Sequence, residues 1–205
     1  MRISMFGGTG RVGSLMLKQL LENGHHVTAL ARNPEMVPQH PNLTVIQGDA
    51  KEAAAIASTI LGSEVVVSAL GTDKTTTLSD ALPEIIQAMK DEDIKRIITI
   101  GTAGILQSRI DPNYLRYEAG DSNRKLTTAA EEHHAAYRAL AASDLDWTIV
   151  CPTYLPDGEA TGIYRIEDNW LPKEGKQIST EDTANFAVSE LFACNHLRTR
   201  VGIAY

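Results

Sequence analysis

Short unbroken apolar runs alternate with amphipathic stretches along most of the chain. Arg2–Phe6 is apolar and ends at Gly7 and Gly8, which predicts a buried strand. Val12, Leu15, Met16 and Leu20 then recur at helical spacing, predicting a helix over Arg11–Asn23 that Gly24 stops. Four further apolar runs read as strands: His26–Ala31, Leu43–Gln47, Glu64–Ala69 and Lys95–Ile100. Helical patterns fill Glu52–Ile60 and Leu78–Met89. A long helix is predicted over Ser122–Ala142, followed by a sixth strand at Trp147–Cys151 that ends at Pro152.

The strands are continuous Val/Ile/Leu runs with no polar alternation, as expected when helices cover both faces of a parallel sheet. The fold class is therefore α/β, doubly wound. After Pro152 the alternation weakens, and residues 153–178 hold Pro156, Gly158, Gly162, Pro172 and Gly175. A short strand at Gly162–Ile166, a helix opening at Ser179-Thr180-Glu181-Asp182 and running to about Cys194, and a last strand at Val201–Ala204 complete the reading. The whole chain, 205 residues, reads as one domain with 153–178 as an irregular substrate-side segment.

Charge narrows the choice of partners. Lys+Arg is 19 and Asp+Glu is 26, a net charge of −7 with no basic block, which argues against nucleic acid or an anionic membrane as the main partner. Two cysteines, Cys151 and Cys194, form no disulfide framework and no metal cluster. Both lie in apolar runs and read as buried thiols. The remaining histidines have no ligand spacing, so no metal is expected. No apolar stretch is long enough to span a membrane, and the apolar part of the N-terminus is too short for a signal peptide. The expected compartment is the reducing cytosol.

The glycines carry the first chemistry. Gly7-Gly8-Thr9-Gly10-Arg11-Val12-Gly13 contains G-x-x-G-x-x-G between a predicted strand and a predicted helix. Gly7 allows a tight turn, Gly10 lets the backbone approach a pyrophosphate, and Gly13 lets the helix pack closely. Free N–H groups at the helix start then suit phosphate. A glycine turn serving chain geometry alone has the same pattern; the strand-loop-helix context points to a dinucleotide. Where NAD-binding proteins place an acid after the second strand, this chain has Ala31-Arg32-Asn33-Pro34. A guanidinium suits a 2′-phosphate, so Arg32, with Arg11 in the loop, points to NADP. Asp49, after the third strand, is an adenine-contact candidate or a plain turn residue.

GGTGRVG, ARNP, QGD, SALGT and ASDLDWTIVCP, each at a strand end or around the sixth strand, resemble the atypical short-chain dehydrogenase/reductases. The resemblance is to their NAD(P)H-binding, NmrA-like branch, which includes small flavin reductases and biliverdin-IX-beta reductase. It implies a Rossmann sheet over 1–151 with NADP across the carboxyl ends of its strands. The implied cofactor contacts are Gly7, Thr9, Gly10, Arg11, Val12, Arg32, Asp49, Ala50, Ala69, Leu70, Gly71 and Pro152. The segment after Pro152 would cover the substrate. Two features depart from related reductases. No tyrosine has a lysine four residues later, and Cys151-Pro152 stands where relatives commonly have Arg-Pro. Both fit hydride transfer to an acceptor that needs little acid catalysis, such as a flavin.

Two residues remain as catalytic candidates. Thr102 follows the fifth strand, where ligands meet a doubly wound sheet. His133 lies one helical turn before Tyr137, near where related sequences often place a lysine. Tyr114, Tyr117 and Tyr154 are loop residues able to stack on a flat ring or to pack on the domain edge. The function expected is NADPH-dependent reduction of a flavin or small quinone-like acceptor. The alternative is a non-catalytic NADP(H)-binding sensor that signals to a protein partner.

Overall fold

The computed structural model describes residues 1–72, 75–121 and 126–205. Strand β1 (Arg2–Phe6) leads through the glycine loop into α1 (Gly13–Glu22) and back to β2 (His26–Ala31). Next come β3 (Leu43–Gln47), α2 (Ala53–Ile60), β4 (Val65–Ser68), α3 (Thr77–Asp91) and β5 (Arg96–Ile100). The chain continues with α4 (Thr128–Ala141), β6 (Asp146–Pro152), β7 (Arg165–Asp168), α5 (Thr180–Ala193) and β8 (Thr199–Ala204). These strands form one sheet in the order β3-β2-β1-β4-β5-β6-β8-β7. Every pairing is parallel except β7 with β8.

Each strand of the centre feeds two cores. Phe6, Val66, Ile97 and Ile149 face α2, α3 and α4, where they meet Ile56, Leu82, Ile85 and Leu140. Met5, Val67, Ile98 and Val150 face α1 and α5, where they meet Met16, Leu20, Ala187 and Leu191. The alternation of side chains along a strand sorts neighbours to opposite faces. Burial on both faces explains why the strands are apolar throughout. The chain winds outward from β1 in one direction and from β4 in the other. The crevice between those two strand ends is where a sheet of this type takes ligands.

Four expectations need correction. The sheet does not stop at residue 151: β8 pairs in parallel with β6, and β7 closes the edge, so the C-terminal quarter belongs to the same sheet. The short strand expected within 153–178 is present but shifted, from the predicted Gly162–Ile166 to Arg165–Asp168. The segment is pinned by buried Asp182 on α5, which accepts the N–H groups of Thr161 and Gly162 and the Tyr205 hydroxyl. Burial opposes the Asp182 charge, but these donors outweigh it and hold the carboxyl below the usual range. The fourth helix begins at Thr128, not Ser122; residues 122–125 lie outside the described residues, and Leu126 and Thr127 are not helical. Leu126 is 85% exposed, so its side chain makes no core contact that would extend the helix in that direction. Finally, Cys151 is buried as expected, but Cys194 is exposed, because it caps α5 in a left-handed turn that leads the chain outward.

Candidate dinucleotide and acceptor site

The turn after β1 is shaped by close approach. Gly7 has φ +79°, and a Cβ there would lie 2.4 Å from the carbonyl oxygen of Ala69. A Cβ on Gly13 would lie 2.1 Å from the Gly7 carbonyl oxygen, so α1 starts directly against the turn. Gly10 is less crowded: its Cβ would stand 3.3 Å from that same oxygen. Gly10 donates to Gly7, and Ser14 donates to Gly10. Among the described residues the N–H groups of Thr9, Arg11 and Val12 make no hydrogen bond. A tight cradle with unused N–H donors at a helix start is the donor set an anionic pyrophosphate requires, so these residues fit a dinucleotide.

A solvent-open cleft of about 640 Å³ runs from this loop across the strand ends. Gly7, Thr9 and Gly10 line it from β1, Ala31 and Arg32 from β2, Gly48, Asp49 and Ala50 from β3, and Ala69, Leu70 and Gly71 from β4. Nine of the twelve implied cofactor contacts are thus brought around one cavity. Three are not. Val12 is buried in the core beneath α1, and Pro152 is buried as the last residue of β6. Arg11 turns away: its Nε donates to Asp157 Oδ1 at 2.7 Å and its Nη2 to the Leu155 carbonyl at 2.6 Å. The cation that lines the cleft after the second strand is therefore Arg32. Asp49 accepts the Lys51 N–H on one carboxylate oxygen, as a turn residue does, and also lines the cleft.

A second cleft, of about 1100 Å³, begins at the neighbouring strand end. Thr102, Ala103 and Gly104 line it after β5, Thr153 and Tyr154 after β6, and Tyr117 from the loop between β5 and α4. Leu126, Thr127, Ala129, Ala130 and Lys176 complete its rim. Arg116 also lines it but is held by Asp121, at 3.7 Å from the carboxylate. Ala69 to Gly71 and Thr102 follow adjacent parallel strands, so the two clefts open on the same edge of the sheet. Thr102 accepts the Gly104 N–H at 3.4 Å, a long bond that leaves its hydroxyl proton uncommitted. Of the three loop tyrosines, Tyr117 and Tyr154 reach this cleft; Tyr114 does not line it.

His133 lines neither cleft. Part of its ring is exposed, yet the protein packed around it pushes its pKa down to about 4. The sequence candidate for a histidine role thus lies away from both cavities. Its neighbour His134 instead meets Tyr117, Nδ1 to hydroxyl, at 2.9 Å. Successive helical residues point about 100° apart, so the helical pattern alone does not tell which of two adjacent histidines faces a cavity. No sequence signal joined Tyr117 to His134, since a loop separates them by 17 positions. Cys151 is no nucleophile: burial pushes its thiol up to about 12. No group of three metal-ligating side chains occurs among the described residues, and none of their helices is long and apolar enough to cross a membrane.

The model of a family described as NAD(P)H-binding matches residues 7–193. YwnB of Bacillus subtilis, an uncharacterized protein, is 25% identical over 201 residues, 96% of this chain and 93% of that one. Two solved structures share the fold. A candidate NADH-flavin reductase from Streptococcus pneumoniae superposes with a TM-score of 0.85 at 22% identity, covering 100% of this chain and 99% of the other. A short-chain dehydrogenase/reductase from Veillonella parvula, solved in complex with NADP, superposes with a TM-score of 0.79 at 21% identity, covering 100% and 94%.

Proposed function

This chain belongs to the NAD(P)H-binding family, and from that premise we propose that it is an NADPH-dependent oxidoreductase that reduces a flavin or a small quinone-like acceptor. The observation that carries the reading is the pair of clefts on one edge of the sheet. One is built around a glycine cradle and the other from three threonines, two tyrosines, small apolar residues and the charged Arg116, Asp121 and Lys176. A site that only sensed a dinucleotide has no need of the second. The nicotinamide, when bound, supplies a hydride.

The protein's own contribution is positional. The N–H groups of the glycine loop take the pyrophosphate and Arg32 takes the 2′-phosphate. Ala69, Leu70 and Gly71 close the cleft toward β5. In the second cleft Tyr117, Tyr154 and Leu126 offer flat and apolar surface to a ring system. Holding two rings in near-attack geometry is the larger part of what such a site has to do, because correct placement alone supplies about 7–11 kcal/mol in well-oriented cases. The candidate flavin reductase among the structural neighbours and the NADP complex of another are consistent with both halves of the reading.

The test is NADPH oxidation by the purified protein with FMN, FAD and small quinones as acceptors. Flavin is expected to act as a substrate, since the chain has one glycine-loop phosphate site. The protein should therefore be colourless and inactive until an acceptor is added. A stoichiometric yellow chromophore that survives gel filtration, or absence of turnover with every acceptor, would refute the reading.

A further inference from the structure

We propose that Tyr117 is the proton donor for acceptors reduced at oxygen, and that His134 resupplies its proton. The proposal rests on the oxidoreductase reading above and goes further, since it assigns an acid and separates two acceptor classes.

Tyr117 is fixed in the second cleft, beside the end of β5. Its backbone N–H donates to the Gly104 carbonyl at 3.0 Å. Gly104 lies so close to α4 that a Cβ there would stand 3.1 Å from the Ala130 Cβ. His134 follows Ala130 by one helical turn, and Ala130 lines the second cleft with Tyr117. The phenol and imidazole meet at 2.9 Å. The imidazole is itself oriented: its ring stacks on Tyr137 at 6.3 Å, and the Arg200 guanidinium lies over that same Tyr137 ring, 4.3 Å from its centroid. A half-buried stack that orients a histidine ring holds its nitrogen toward one partner.

Charges around the pair are mixed. Glu118 and Glu131 act on Tyr117, and burial together with these carboxylates raises its pKa. Burial lowers that of His134, with Glu118 opposing and Arg138 and Arg200 assisting. The phenol is thus protonated and the imidazole neutral near pH 7. In that state the Tyr117 hydroxyl donates to Glu118 Oε1 at 3.3 Å, a long bond that an acceptor oxygen would have to displace, and His134 holds a nitrogen able to replace the proton given up.

The step balances as follows. The acceptor takes a hydride from the reduced nicotinamide and a proton at oxygen. The Tyr117 O–H bond breaks and the acceptor O–H bond forms. The phenolate takes the Nδ1 proton of His134, while Nε2 takes one from solvent water; the hydroxide left behind is neutralised by the buffer, so one proton of the medium is consumed per turnover. A quinone or conjugated carbonyl needs this proton at the reacting oxygen; a reduced flavin can take its proton from water.

The test compares wild type, Tyr117→Phe and His134→Ala with a small para-quinone and with FMN. Tyr117→Phe, which keeps the ring surface and removes only the hydroxyl, should lower quinone kcat by about 10²–10⁴-fold and FMN kcat by a much smaller factor, with the NADPH Kd within about threefold. His134→Ala should lose quinone turnover and regain it with free imidazole. Independently of turnover, ¹⁵N NMR at pH 7 should find the His134 proton on Nδ1. Retained quinone turnover in Tyr117→Phe overturns the proposal. So do equal losses on quinone and FMN, failure of imidazole to restore His134→Ala, or a His134 proton on Nε2. Absence of wild-type turnover with either acceptor overturns the oxidoreductase reading and this one with it, whereas the other outcomes leave that reading intact.

Discussion

Arg11 and Asp157 join the phosphate loop to the segment after the sixth strand, Nη2 to Oδ1 at 2.6 Å. The same guanidinium also donates to the Leu155 carbonyl, next to the cleft residue Tyr154. Both partners are exposed, so the ion pair itself contributes little to stability. Its effect is on placement. Asp157→Ala should leave the melting temperature within about 2 °C and raise the KM of the acceptor more than the Kd of NADPH. Steady-state kinetics together with a thermal scan check this; an unchanged acceptor KM would show that the link has no bearing on the second cleft.

Arg32 lines the dinucleotide cleft at the strand end where an acid would select NAD. A charge-assisted contact to a 2′-phosphate is worth about 1.5–3 kcal/mol, roughly tenfold to over a hundredfold in affinity. Arg32→Ala should weaken NADPH by that factor and leave NADH nearly unchanged. Titration of both reduced cofactors into both proteins decides it. Equal or tighter NADH binding by wild type would remove the NADP assignment.

Gly10 and Gly13 should respond differently to a single methyl. At Gly13 the new Cβ would overlap the Gly7 carbonyl at 2.1 Å, and the neighbouring atoms are backbone. Gly13→Ala should cost about 1–3 kcal/mol or more of stability. At Gly10 the nearest atom is 3.3 Å away, so the fold should accept alanine with little change while pyrophosphate approach suffers. Chemical denaturation and NADPH titration of the two variants separate the roles. A Gly13→Ala protein as stable as wild type would contradict the packing described.

His133 couples stability to pH. Its pKa falls from an ordinary 6.5 to about 4 in the fold, because burial disfavours the imidazolium. Between those values the unfolded chain binds the proton and the folded one does not. Stability should therefore fall as pH drops through this window and level off below about 4. His133→Gln should flatten that part of the curve. Its activity at neutral pH should change only modestly, because the ring lines neither cleft. Melting temperatures from pH 7 to 4 for both proteins give the comparison; parallel curves would mean that His133 titrates normally.

Local order was readable because local physics produces it. Unbroken apolar runs such as Val65–Ser68 and Arg96–Ile100 admit burial on both faces only, so the parallel sheet and its helices follow from the chain itself. The glycine loop was equally legible. Gly7 has the positive φ and Gly13 the close approach that their spacing implies, and Arg32 and Asp49 come to the same cavity because parallel strands end on one edge. A residue's distance along the chain sets these positions, and neighbouring strands need no further information.

Residues that meet through loops were decided by tertiary structure. Arg11 has the length to reach either the dinucleotide cleft or Asp157, and the fold of 153–178 around Asp182 brings Asp157 within range. His133 and His134 are indistinguishable by type and adjacent in sequence; the rotation of α4 against the loop at Gly104 directs His134 to Tyr117. The strand β8 joins the sheet only because β6 leaves an edge with unpaired backbone groups for it to fill. In each case the sequence supplied the chemical group, and long-range packing selected its partner, because the free energy that chooses between partners comes from contacts far apart in the chain.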